Sequence, residues 1–131
     1  MISQLIAVFI GGGLGASARF LVTLSVADHL PKFHGFPIGT MFCNVTGSFL
    51  IGILAAYAAG NHLETHPLFR HLILIGLLGG YTTFSSFSLE TITLLQNGKA
   101  LAAGLMVVGT VCLCLFGAAL GSTLGNLLRN T

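Results

Sequence analysis

The chain has 131 residues, of which 54% are hydrophobic and only 6% charged, and its formal net charge is +2. A soluble domain carries roughly 25% charged residues to face water, so this composition excludes a water-soluble globule and points to an integral membrane protein. The net charge is too small to suggest nucleic acid or a polybasic lipid-binding patch as a partner.

A membrane-spanning helix needs ~20 mostly apolar residues, and the sequence offers four such stretches, about 2–26, 38–59, 72–95 and 100–127. The first begins MISQLIAVFI and has no Lys or Arg before Arg19. It lacks the basic leader of a signal peptide and reads as a retained span. Within it, Gly11 and Gly15 form a GxxxG pair, which lets helix backbones approach closely in lipid.

The loop DHLPKFHGFP leads to span two, where Thr40, Asn44 and Ser48 recur every fourth residue and so share one helix face. An asparagine amide in hydrocarbon is costly unless it is hydrogen-bonded or wet. Three polar groups in register therefore predict a buried polar lane.

Span three follows GNHLETHP and has a different character, because HLILIGLL runs into GGYTTFSSFS before LETITLL resumes. Gly79 and Gly80 are poor helix residues, and the β-branched pair Thr82 and Thr83 comes directly after. A break here would free backbone N–H and C=O groups, which the membrane interior tolerates only inside protein or around a polar cavity. Membrane proteins commonly build ion sites from such interrupted helices. Phe84 and Phe87 stand about one turn apart, and an aromatic ring is negative on its face and positive at its edge. Ring edges, the hydroxyls of Thr83, Ser85 and Ser86, and the Asn44 amide make a donor set suited to a small anion. With no fixed cation at its centre, the set favours passage over capture. The plainer alternative is a kinked, well-packed helix with structural hydroxyls.

The connection QNGK is short enough to make spans three and four a tight hairpin. In span four, Thr110, Cys114 and Ser122 lie on one row, and Gly117, Gly121 and Gly125 extend the small-residue pattern of Gly11 and Gly15, which Gly76 and Gly80 repeat in span three. Cys43, Cys112 and Cys114 are odd in number and without a CxxC pair, so no disulfide framework is expected. They read as small apolar fillers rather than as a soft-metal site with Met106. The histidines at 29, 34, 62, 66 and 71 fall in loops or at helix ends. His62 and His66 are spaced to hold zinc on a helix, but solvated interfacial histidines are the expectation. No catalytic constellation emerges, and the chain is not read as an enzyme.

Three of these stretches together resemble the CrcB/Fluc family of fluoride channels. GGYTTFSSFS resembles its third-helix signature, GGGLGASARF its first-helix motif and GTMFCNVTGSFLIG its second, in the expected order. The resemblance implies an all-α protein of four transmembrane helices, the third broken at mid-membrane, assembled as a dual-topology antiparallel homodimer. It implies passive, electrogenic and fluoride-selective export through two pores in the bacterial inner membrane, and hence fluoride resistance. Carried over by motif, Asn44 lies along the ion path, and Phe84 and Phe87 meet fluoride with their ring edges. Thr40, Thr83, Ser85, Ser86, Thr110 and Glu90 extend the pathway, and Arg19 is the motif arginine, with an anion-attracting or structural role. Gly79 and Thr82 would hold a structural Na⁺ through main-chain carbonyls, and oxygen-only coordination suits so hard a cation. The fourth helix departs most from the family, with Met106 where some members have a tyrosine and Cys114 on a serine position.

Two other functions compete. A proton-coupled exporter of the small multidrug-resistance type also has four short spans, but it needs a membrane-embedded carboxylate, and this chain has only Asp28, Glu64 and Glu90. A non-transporting assembly subunit would pack by its glycine faces alone, which leaves Asn44 and the hydroxyl cluster unexplained.

Charge counting bears on topology directly. With four spans both termini share one side, which carries Arg70 and Arg129 against Arg19, Lys32 and Lys99 on the other. Orientation follows a Lys/Arg excess in short loops, and here there is almost none, so the chain is expected to insert both ways. A topology reporter fused to Thr131 should signal from both sides of the membrane; signal from one side only would reject dual insertion.

Overall fold

The computed structural model describes residues 1–29, 35–60 and 66–130, which contain helices and no strand. In chain order these are α1 (Ile2–His29), α2 (Ile38–Gly60), a π-wound stretch (Phe69–Leu78) leading into the single turn α3 (Gly79–Tyr81), α4 (Phe84–Gln96) and α5 (Ala100–Arg129). Among the described residues, four segments are long and apolar enough to cross a membrane: Ile2–His29, Ile38–Ala59, Phe69–Gln96 and Ala100–Arg129. At 1.5 Å per residue, a helix of 28 or 30 residues is ~42–45 Å long. That exceeds the ~30 Å hydrocarbon core, so the ends reach the headgroup region. The spans run slightly past the expected ones, with α1 reaching His29 rather than 26 and the third span starting at Phe69 rather than 72.

The third span holds the surprises. Its first half is wound as a π-helix, which nothing in residues 69–78 announces. The glycines after it stay helical, Gly79 having φ −64 and ψ −35. The residues that leave helical space are the threonines, Thr82 at φ −85, ψ 157 and Thr83 at φ −152, ψ 119. The interruption is local, two extended residues within one membrane-length segment.

The turn between α4 and α5 is equally specific. Gly98 has φ +72, the left-handed region that glycine enters without a Cβ penalty. Its N–H donates to Leu95 O at 3.0 Å while Lys99 N–H donates to Leu94 O at 2.9 Å. This paired closure caps the last carbonyls of α4 and turns the chain directly into α5.

Packing follows the glycine rows. A Cβ built on Gly11 would collide with the Leu72 carbonyl, one on Gly15 with the Leu77 carbonyl, and one on Gly80 with the Gly12 carbonyl. These positions seam α1 to the third span. On the other side, Gly52 abuts the Ala118 carbonyl, Gly121 the Phe49 carbonyl and Gly125 the Ile53 carbonyl, seaming α2 to α5. Both rows therefore serve contacts within the chain. Without a hydrophobic drive between helices in lipid, such close backbone contact is the main adhesive. The outer faces carry large apolar side chains such as Phe9, Leu101, Leu115 and Phe116.

Among the described residues no group of three or more His, Cys, Asp or Glu could hold a metal ion. His62, of the suggested zinc pair, lies outside the described residues, as do His34, Lys32 and Glu64. Cys43 is fully buried, as a filler should be, whereas Cys112 is exposed on the outer surface.

The seams give a contrast between two alanines. Gly121→Ala places a methyl against backbone with no room to yield and is expected to lower the thermal stability of the purified protein markedly. Gly104 has nothing within 4 Å of an added Cβ; Gly104→Ala should be neutral or stabilising by up to ~1 kcal/mol from helix propensity. Equal melting behaviour of the two variants would contradict the packing described.

Candidate functional site

The site is organised by one side chain, Asn44. It sits in the second turn of α2 beside the interruption, and it takes over the hydrogen bonding that the helix gives up. Thr83 N–H, which in an unbroken helix would close on Gly79 O, donates to Asn44 Oδ1 at 2.8 Å. Asn44 Nδ2 donates back to Thr83 O at 3.0 Å. The amide thus satisfies both polar groups of one peptide residue at membrane depth, where leaving either unpaired costs several kcal/mol. One Nδ2 proton remains for another acceptor.

Thr83 has a second role that the sequence reading missed. It is the N-cap of α4, its Oγ1 accepting from Ser86 N–H at 3.2 Å. The signal was present, since a threonine before a helical stretch is a standard cap. Thr83 Oγ1 also donates to Ser86 Oγ and contacts Ser85 Oγ, each at 3.2 Å. Much of the hydroxyl cluster is therefore satisfied locally, as are Thr82, which donates to Leu78 O at 3.1 Å, and Ser88, which donates to Phe84 O at 2.9 Å. The donors still available here are fewer than the sequence suggested.

Around this pairing lies a recess of about 430 Å³ between α2, the third span and α5. Its walls include Asn44, Ser48, Gly79, Thr82, Thr83, Phe84, Phe87, Thr110 and Cys114. The rings of Phe84 and Phe87 are 5.4 Å apart between centroids and tilted at 42°. Phe87 is 7% exposed, packed with Leu94, Ala103 and Met106, whereas Phe84 is 77% exposed. Thr110 is buried and donates to Met106 Sδ at 3.5 Å. Ser122, grouped with Thr110 and Cys114 by spacing, instead lies against Gly52.

Thr40 and Glu90 are not in this recess. One turn from Asn44 along α2, Thr40 Oγ1 donates to Glu90 Oε1 at 2.8 Å. Both line a smaller recess of about 200 Å³. Glu90 Oε2 is buried without a hydrogen-bond partner, a rare state for a polar atom. Glu90 also lines a third recess, with Thr93, Asn97 and Lys99, at the α4–α5 turn.

Arg19 stands apart from all three. From α1 its Nε donates to Gly80 O at 3.2 Å, across the seam with the third span. Gly79 and Thr82 both face the large recess. Because Thr83 N–H is taken by Asn44, the Gly79 carbonyl lacks its usual helical donor, and so the turn offers backbone oxygen to a hard cation. Two such oxygens fall short of the six or more that hard cations commonly take.

The chain matches, over residues 6–122, the family model described as CrcB-like protein, Camphor Resistance (CrcB). It is 46% identical over 123 residues to a protein of Hydrogenobaculum sp. (strain Y04AAS1) named fluoride-specific ion channel FluC, covering 94% of this chain and 98% of that relative. A FluC of Coxiella burnetii (strain Dugway 5J108-111) is 46% identical over 121 residues, covering 92% and 96%. One of Shewanella baltica (strain OS155 / ATCC BAA-1091) is 45% identical over 122 residues, covering 93% and 95%. With four membrane-length helices, a matching family model over most of its length and relatives this similar, the chain belongs to the CrcB family.

Proposed function

We propose that this chain is a fluoride-selective ion channel giving passive, electrogenic export of fluoride from bacterial cytoplasm, and so fluoride resistance. The observation that carries the reading is the recess in which Asn44, the Phe84 and Phe87 rings and the interrupted backbone converge. Its relatives' name, fluoride-specific ion channel, supports the choice of ion. A spare amide proton and positive ring edges can accompany a small anion without binding it tightly, which conduction requires. Ser85, Ser86 and Thr110 line or flank the route. Thr40 and Glu90 continue it one turn along α2 and α4.

The working unit is an antiparallel homodimer of dual topology with two pores, in the inner membrane. The 77% exposure of Phe84 supports this, because a ring on an ion route, unlike the lipid-facing Phe9 or Phe116, is walled off from lipid by a second copy. In this unit the third span works as a helix broken at mid-membrane. Gly79 and Thr82 would hold a structural Na⁺ with their carbonyls, a second copy supplying the further oxygens, and the ion would supply positive charge to backbone carbonyls left without donors. Arg19 acts structurally, holding Gly80.

Energetics favour a channel over a pump. An anion leaving a cell that is negative inside gains ~2.3 kcal/mol per charge per 100 mV, so fluoride that entered as neutral HF needs no coupling ion to leave. A proton-coupled exporter gains no support, because Glu90, the acid within the third span, is bonded to Thr40 rather than open at the centre. No enzymatic role is proposed.

Purified protein in liposomes, with a K⁺ ionophore added, should release fluoride to an external electrode while retaining chloride; equal chloride release would overturn the selectivity. Phe84→Ile and Phe87→Ile should each slow release about tenfold, corresponding to ~1.4 kcal/mol, with the assembly intact on size exclusion. Asn44→Ala leaves Thr83 N–H and C=O unpaired, each costing ~1–3 kcal/mol. It should therefore lower the melting temperature as well as the flux, and unchanged melting would refute the pairing.

A further inference from the structure

Three consecutive tethers reach the third span around its interruption. Arg19 holds Gly80 O, Asn44 holds Thr83, and between them the Tyr81 side chain meets α2. All four residues lie in the motifs quoted above, but only Arg19 and Asn44 carry a role there. We infer that Tyr81 and Thr46, backed by Cys43, form a hydrogen-bonded strut that sets the geometry of the Thr82–Thr83 interruption, making both positioning residues for conduction.

The contact lies at 3.0 Å between Thr46 Oγ1 and the Tyr81 hydroxyl. Its direction follows from what else Thr46 does. The Thr46 hydroxyl donates to Phe42 O at 2.7 Å, so its single proton is committed and it accepts from Tyr81. Cys43 is fully buried beside them, its carbonyl 3.4 Å from Thr46 Oγ1. The result is a chain running from phenol to threonine to backbone carbonyl, in which each bond polarises the next. Gly47, next to Thr46, makes the approach possible. A Cβ there would strike the Thr82 methyl and come within 3.2 Å of the Tyr81 ring.

Neither Tyr81 nor Thr46 lines the recess, so any effect on an ion there must act through the backbone. Such a tether matters at this point of the chain. Tyr81 follows two glycines, which restrain the backbone least, and precedes two residues with extended dihedrals. Fixing its ring fixes the peptides on both sides, those of Gly80 and Thr82, and with them the register in which Thr83 meets Asn44.

The test uses Tyr81→Phe, Thr46→Val, their double variant and Thr46→Ser in the full-length protein in lipid nanodiscs and liposomes. Amide hydrogen exchange across residues 80–86 should quicken about fivefold in each single variant, no further in the double, and not at all in Thr46→Ser, which keeps the hydroxyl. Fluoride efflux, which rests on the proposed channel function, should fall about fivefold in the same pattern. If the wild type carries no fluoride, the channel reading fails while the exchange measurement still judges the strut. Should Thr46→Val fail to assemble, Tyr81→Phe, which keeps the ring against Gly47, carries the test alone. Unchanged exchange in Tyr81→Phe, additive effects in the double, no rescue by Thr46→Ser, or altered exchange with wild-type flux would each overturn the inference.

Discussion

Lipid offers no hydrogen bonds, and the most informative part of this molecule is organised around that constraint. A helix can stop winding inside the bilayer only if something else receives its backbone. Here the substitute is one primary amide, Asn44, which presents a donor and an acceptor to Thr83 much as a neighbouring strand would. The interruption frees the Gly79 carbonyl and aims α4, capped by Thr83, so that Phe84 and Phe87 stand at the recess. Removing the amide would leave no reason for the backbone to be extended there.

The rest of the architecture brings α2 and the third span within reach of each other. Glycine seams tie α1 to the third span and α2 to α5 by backbone contact alone. Between these two pairs, beside the packing of Phe87 and Leu94 on Ala103 and Met106, run the hydrogen bonds of Asn44 to Thr83, Thr46 to Tyr81 and Thr40 to Glu90. Dispersion holds the pairs, and hydrogen bonds set their register. This division of labour suits a medium in which apolar side chains gain nothing by leaving lipid for protein.

Much of this was legible in the sequence, and the parts that were not share a cause. The spans follow from length and hydropathy, because a bilayer has a fixed thickness. The importance of Asn44 follows from the cost of an amide in hydrocarbon, and the glycine rows from their spacing. Partners were not legible: nothing in GxxxG says which helix it meets, nor that Asn44 would pair with backbone rather than face the recess with both protons. The hydroxyls of GGYTTFSSFS looked alike as letters. In three dimensions Thr83 caps a helix, Thr82 and Ser88 bond back to their own turns, and Tyr81 reaches across to α2. The π winding of residues 69–78 was invisible because the side chains there suit α- and π-helices equally; what distinguishes the stretch is its contact with Gly11 and Gly15, a tertiary fact.

The closure at Gly98 has a mechanical corollary. With three residues between α4 and α5, the two helices are hinged at one end, and α4 behaves as a lever of about 20 Å, given 13 residues at 1.5 Å each. Its far end, tethered to α2 through Thr83 and Asn44, carries Phe84. A rocking of only ~3° about the hinge would displace that ring by ~1 Å while scarcely shifting Leu94 beside the pivot, so the molecule's sensitivity to small tilts is concentrated at its aromatic tip.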